Sequence, residues 1–264
     1  MGNHSATSLL RVIVKLFNPV LACKAAWNWE VCMAWEEIQR GGAHALIKVP
    51  VLKSVSVPSA HPRVARPLWI GLTGGIGAGK SAVTNVWREM GATIADGDVI
   101  AREIAGPDTD ALAHIIQRFG SEVAPGGVLN RASLASIVFN DEKALADLNE
   151  ITHPRIRTRA LEILEAAPND GLAVYDAAVL IEANMTHMVD AVAVVVADEQ
   201  HRVARLTGMR GMDEQDARRR IVNQMSDAQR CKHASIIIEN EGSLADLDFV
   251  ARELYQMLTA GREA

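Results

Sequence analysis

The octet Gly74-Gly75-Ile76-Gly77-Ala78-Gly79-Lys80-Ser81 satisfies every fixed position of the G-x-x-x-x-G-K-[ST] pattern. Its residue types suit one task. Glycines let the backbone bend around an anion and turn its N–H groups inward. A helix opening near Lys80 aims its positive end at the same anion. The Lys80 ammonium reaches the β and γ phosphates of a nucleotide, and the Ser81 hydroxyl is a ligand for Mg²⁺. The nucleotide contacts read from this are Gly74, Gly75, Gly77, Ala78, Gly79, Lys80, Ser81 and Ala82. A glycine-rich loop that merely turns the chain is the plain alternative; the strand before it and the helix after it argue against that. The octet specifies nucleotide binding and leaves kinase, GTPase and motor ATPase open.

A second cluster follows at Asp96-Gly97-Asp98-Val99-Ile100-Ala101-Arg102. Phosphoryl transfer to an alcohol needs a carboxylate that orients the hydroxyl and takes its proton. Asp98, opening the next helix, suits that role. Asp96 would support it or hold water on the metal. Arg102, one helical turn on, would meet a substrate phosphate or pair with a carboxylate. The plain alternative is Asp98 as helix cap and Arg102 as a solvated charge. A third cluster is Arg202, Arg205, Arg210, Arg218, Arg219 and Arg220, which concentrates positive charge in a chain of net charge −5. Arginine forks suit phosphate oxygens and neutralise charge in a transition state. As a group they read as a lid over ATP; singly, each is as well explained by solvated pairing with Asp213, Glu214 or Asp216.

These residues need a frame. Apolar runs at Leu68–Thr73, Ala92–Asp96, Leu172–Asp176, Ala191–Ala197 and Ser235–Glu239 read as buried strands. Helical spacing follows the octet, with Val83, Val86, Trp87 and Met90 on one face and Gly91 as its stop. Helical patterns run from Thr109 to Ala167, with Asn130 as an N-cap. A polar, Arg-rich helical region covers His201 to Arg230, and Ser243 with Asp246 makes a capping box for the last helix. Continuous apolar strands alternating with helices imply a parallel sheet covered on both faces, with ligands at the carboxyl ends of its strands. Asp96, Asp98 and Asp176 lie at such ends.

At 264 residues and 49% apolar composition the chain can bury a sizeable core. Its acidic balance speaks against a nucleic-acid partner. Cys23, Cys32 and Cys231 are too scattered for a disulfide framework or a zinc motif, which suits a reducing cytoplasm. Residues 1–66 lack an element plan and read as an appendage, or as residues upstream of the true start. The apolar stretch Ser8–Cys23 is interrupted by Arg11, Lys15, Asn18 and Pro19, too short and too charged to span a membrane. Ala6 stands where myristoylation wants Ser or Thr. A lipoprotein-like Val20-Leu21-Ala22-Cys23 lacks a compact basic region in front. Residues 67–264 form the expected domain.

Together the motifs resemble the dephospho-CoA kinase family. Thr73–Ser81 is similar to its T-G-G-I-G-[SA]-G-K-S loop, and Asp96–Arg102 to D-[AG]-D-x-[IV]-A-R. His153-Pro154 with Ile156 and Arg157 matches a helical His-Pro element, and Asp176–Glu182 resembles D-x-P-L-L-x-E with Ala178 in place of Pro. Arg205–Met212 resembles R-L-x-x-x-R-G-M, Arg220–Gln224 R-I-x-x-Q, and Ala234–Gly242 the family's closing strand and turn, with Ser235 and Glu239 for the usual Asp. The resemblance implies an α/β P-loop kinase fold with a five-stranded parallel sheet, a helical substrate-binding insertion and a helical lid. It further implies ATP- and Mg²⁺-dependent phosphorylation of the ribose 3′-hydroxyl of dephospho-CoA, the last step of coenzyme A synthesis. Carried over, Asp98, Lys80, Arg205 and Arg210 are catalytic, and Asp96, Arg102, His153 and Arg157 bind the CoA-type substrate.

Overall fold

Alternation of short apolar runs with amphipathic segments folds into a mixed sheet flanked by helices. The computed structural model describes residues 66–260 and three short strands before them, β1 (Val12–Val14), β2 (Ala34–Glu36) and β3 (Val49–Val51). The readings of residues 1–66 as targeting segment or appendage otherwise lie outside the described residues. The domain's strands are β4 (Leu68–Gly74), β5 (Thr93–Asp96), β6 (Leu172–Asp176), β7 (Ala191–Val196) and β8 (Ile236–Glu239). In space they run β1-β8-β7-β4-β6-β5. Strand β4 is parallel to both β6 and β7, with Leu72 opposite Asp176 and Gly74 opposite Val195. Strand β8 is parallel to β7.

The expected five strands form, and the chain adds one. β1 runs antiparallel along β8, with Val12 opposite Ile238. The edge of β8 has unpaired backbone donors and acceptors, and a short extended segment satisfies them. β2 and β3 pair antiparallel in a separate two-stranded sheet.

The chain divides into two compact units, residues 1–94 with 167–264, and residues 95–166. In the first, α1 (Lys80–Glu89) and α9 (Leu244–Thr259) cover the sheet. Val83, Val86 and Trp87 of α1 and Leu247, Val250 and Leu254 of α9 share one core with Ile70, Leu72, Val174 and Val195 of the strands. Trp87 is fully buried, and its indole N–H donates to the Ala251 carbonyl at 2.9 Å, so burying the ring leaves no donor unmet. Ser243 and Asp246 cap α9 reciprocally, as their spacing predicts.

The second unit is helical: α2 (Gly97–Ile104), α3 (Asp110–Phe119), α4 (Arg131–Val138) and α5 (Glu142–Glu165). Each starts on a side-chain cap, from Asp96, Thr109, Asn130 and Asp141 respectively. Its small core joins Ala105, Ile115, Val123 and Leu134. Helix α5 runs through Pro154, which has no N–H to donate to the turn before it. The Arg-rich region expected as one helical stretch is broken into α6 (Glu199–Arg210), α7 (Glu214–Val222) and α8 (Asp227–Arg230). Gly211 ends α6 in the left-handed region at φ 61°. Asp198, Asp213 and Ser226 then cap the three pieces, so the polar residues that looked like an exposed helix face also punctuate it.

Candidate active site

The phosphate loop joins the carboxyl end of β4 to α1, as the octet requires. Gly79 lies at φ 105°, and a Cβ there would strike the Asn240 amide nitrogen. A Cβ on Gly75 would strike the Arg202 guanidinium. Both glycines serve close approach as well as curvature. Ser81 is exposed in the first turn of α1.

Lys80 pairs with Asp176, the last residue of β6, and Asp176 Oδ2 accepts a 2.6 Å hydrogen bond from Thr84. The Asp176 side chain is 5% exposed, so the pair is held in place and the ammonium is anchored over the loop's helix. The turn after Asp176 forms with Ala178 in it: Ala177 N–H donates to the Leu72 carbonyl at 3.0 Å, and Thr73 Oγ1 to the Ala178 carbonyl at 3.1 Å.

Two arginines of α6 grip the loop. Arg202 Nε donates to the Ile76 carbonyl at 2.8 Å. Arg205 donates to the Gly77 carbonyl at 3.4 Å and to Asn240, through its carbonyl at 2.9 Å and its side-chain oxygen at 3.1 Å. Asn240 in turn donates to the Ala78 carbonyl at 2.8 Å. Burial lowers the pKa of both guanidinium groups, yet arginine stays charged at any ordinary pH. Arg205 hydrogen-bonds only neutral carbonyl and amide oxygens among the described residues, and Asp198 acts on it only through its charge. Arg210 is exposed at the end of α6, with no bonded partner among the described residues. Arg218 pairs with Glu199 and Glu214, and Arg219 and Arg220 with Asp216, so these three follow the solvated-pair alternative.

In the second unit Asp96 is the N-cap of α2: its Oδ1 accepts from Asp98 N–H at 2.9 Å and Val99 N–H at 3.0 Å. The cap role weighed for Asp98 therefore belongs to Asp96. The Asp98 side chain is exposed in the first turn and bonded to no described residue. Arg102 on α2 and Arg157 on α5 are likewise exposed and unbonded at their guanidinium groups. His153 is half-buried on α5, and burial pushes its imidazole below the ordinary histidine value. Helices α2 and α5 pack together, tied by Arg159 to Glu103 at 2.9 Å.

The sequence profile of the dephospho-CoA kinase family matches residues 68–246. The chain belongs to the dephospho-CoA kinase family. A dephospho-CoA kinase of Thermobifida fusca is 44% identical over 192 residues, 72% of this chain and 96% of that protein. One of Mycolicibacterium paratuberculosis is 44% identical over 189 residues, 71% of this chain and 46% of that protein, so the chain spans about half of this longer relative. Among solved structures, Thermus thermophilus TT1252 is 30% identical, covering 73% of this chain and 98% of that one, with a TM-score of 0.63. The sheet and phosphate loop are thus those of a kinase in which a nucleotide gives up a phosphate.

As a member of this family the chain carries three polar residues to which pattern reading gave no contact. Asp176 was legible as a strand-end carboxylate, but its grip on Lys80 was not. Gln224 lies in the R-I-x-x-Q element and Asn240 in the closing turn. Both bond the phosphate loop, and their motifs were the only sequence signal.

Proposed function

We propose that this domain phosphorylates the ribose 3′-hydroxyl of dephospho-CoA with ATP, giving coenzyme A and ADP. The observation that carries it is the anchored Lys80 beside a complete phosphate loop in a chain of this family. In the proposed step the 3′-oxygen attacks the γ phosphorus in line and the bond to the β–γ bridging oxygen breaks. Asp98 takes the hydroxyl proton, and ADP leaves with the bond's electrons. Loop N–H groups and Lys80 bind the β and γ phosphates, while Arg205 and Arg210 neutralise charge on the transferring group. Asp96, Arg102, His153 and Arg157 hold the acceptor; an exposed, unbonded guanidinium suits a substrate phosphate.

A magnesium ion fits the residues present. No group of three or more His, Cys, Asp or Glu able to hold a metal occurs among the described residues, and Mg²⁺ in such kinases needs no protein cage. Ser81 would hold it together with nucleotide phosphates and water, and the ion would supply charge neutralisation at the β and γ oxygens. No described helix is long and apolar enough to cross a membrane, and the reading sets the enzyme to work in the cytoplasm, without a nucleic-acid partner.

The test is an ATP-coupled assay with dephospho-CoA beside adenosine monophosphate, gluconate and no acceptor. Turnover with dephospho-CoA alone is the expected result. Turnover only with another acceptor would discard the substrate and keep the kinase.

A further inference from the structure

The backbone of Ile76 is held at both of its peptide groups by residues that come more than a hundred positions later. Its N–H donates to Gln224 Oε1 at 2.8 Å, and its carbonyl accepts from Arg202 Nε at 2.8 Å. The two gripping side chains also meet each other, Arg202 Nη2 to Gln224 Oε1 at 3.5 Å. Ile76 is one of the free positions of the octet, so the clamp acts on backbone and not on a required side chain.

The clamp has a buried foundation. Arg202 is 5% exposed and Arg230 1% exposed. Asp227 lies between them, 3.5 Å from each. Arg230 continues to Glu182 at 3.1 Å, six residues after Asp176. A buried arginine with so little freedom fixes the direction of its fork and so the carbonyl it binds. The peptide plane between Ile76 and Gly77, which carries the gripped carbonyl, sets the direction of the chain into Gly77, which stands at φ 78°. Turning that plane would turn the N–H groups that follow away from a common centre.

We infer that Gln224 and Arg202 are positioning residues for nucleotide binding, clamping the two peptide groups that flank Ile76 so that the phosphate loop keeps its anion-receiving curve. The inference rests on the kinase reading only in taking a nucleoside triphosphate as the ligand. Neither residue touches the transferring phosphate; each acts through the loop. The segment between α7 and α8 that carries Gln224 is thereby tied to the loop, so displacement of that segment loosens phosphate binding.

The test is calorimetric titration of the full chain with ATP and Mg²⁺, without acceptor, for the wild type, Gln224→Ala, Arg202→Lys and the double variant. Arg202→Lys keeps the charge and loses the fork. Each single variant weakens ATP binding about tenfold, one step of ~1.4 kcal/mol. The double variant is no more than about twofold weaker than the worse single, because the two residues meet each other and grip the backbone of the same residue. Losses that multiply in the double variant, or ATP dissociation constants unchanged in both singles, overturn the inference. Thermal melting of each variant reports folding separately, and the half-buried Gln224 keeps the test readable if Arg202→Lys melts early. A wild type that binds ATP but leaves dephospho-CoA untouched would discard the acceptor and leave this comparison intact.

Discussion

Around the phosphate loop nearly every polar group is bonded to another part of the protein, whereas three site candidates of residues 95–166, Asp98, Arg102 and Arg157, have side chains bonded to no described residue. Lys80 has Asp176, Ile76 has Gln224 and Arg202, and Ala78 has Asn240. In the helical unit the ion pairs go to other residues: Arg118 to Asp147, Arg155 to Asp110, and Arg159 to Glu103. Those pairs hold helices together and leave Asp98, Arg102 and Arg157 unpaired among the described residues. Every molecule of ATP carries the same triphosphate, so its site is worth building in advance. On the proposed reading, groups that meet the acceptor would keep their hydrogen-bonding capacity for the substrate itself.

The largest effect expected from this contrast is at Asp98. Because its carboxylate supports no described contact, Asp98→Ala should lower kcat by at least ~10²-fold, as for loss of a general base, while ATP binding and melting temperature hold. Steady-state kinetics with ATP titration checks this; near-normal turnover would remove Asp98 from the chemistry. Next comes the wired side. Gly79→Ala places a methyl at positive φ against the Asn240 amide, so the loop or its brace must shift. ATP affinity should fall by more than ~10-fold with the acceptor's KM little changed, since strain of this kind costs about 1–3 kcal/mol.

The arginines sharpen the comparison. Arg202→Ala should lower the melting temperature by roughly 3–10 °C, the consequence of losing ~1–3 kcal/mol of buried bonding in a domain this size. Arg157→Ala should leave it almost unmoved, because exposed unbonded side chains contribute within about ±0.5 kcal/mol. Its effect should fall on the acceptor: a rise of ~10-fold or more in the KM for dephospho-CoA, the loss of one charge-assisted bond. An Arg157→Ala enzyme that melts early and binds dephospho-CoA normally would reverse the roles given to the two units.

What pattern reading could and could not reach follows the same division. The strands at Leu172–Asp176 and Leu68–Gly74, the helix opening at Lys80 and the Ser243 cap are local in cause, set by residues within a few positions of one another. Pairings such as Lys80 with Asp176 or Ile76 with Gln224 span 96 and 148 positions, and no periodicity encodes them. The arginine cluster makes the point most sharply. Arg202, Arg210 and Arg218 look alike in sequence, yet one is buried under the loop, one is exposed and unbonded, and one pairs with neighbouring glutamates. Only the direction of α6 and the break at Gly211 separate them. The antiparallel strand β1 was missed for a related reason: Val12–Val14 is β-branched but only three residues long, and its pairing along the edge of β8 is not written in its own sequence.

The smallest expected effect lies at His153, where burial acts on a group that titrates near neutrality. Burial holds its folded-state pKa below the ordinary histidine value, so the folded protein prefers the neutral ring. Above the unfolded pKa of about 6.5 the ring is neutral in both states and stability is complete. As pH falls, the unfolded chain takes the proton first, and stability is lost down through the folded-state pKa. The domain carries other histidines, among them His114 beside Asp110 and His201 beside Asp198. The isolating measurement is therefore the difference between the wild type and His153→Gln, each melted at about pH 7.5 and about pH 5.5. The wild type should lose more melting temperature on acidification than the variant, by ~1–3 °C, a shift below about 1 kcal/mol. Equal losses would mean that the ring reaches water freely in the folded state. His153 would then join Asp98, Arg102 and Arg157 as a group held open for the acceptor, and the helical unit would have no buried titrating group at its site.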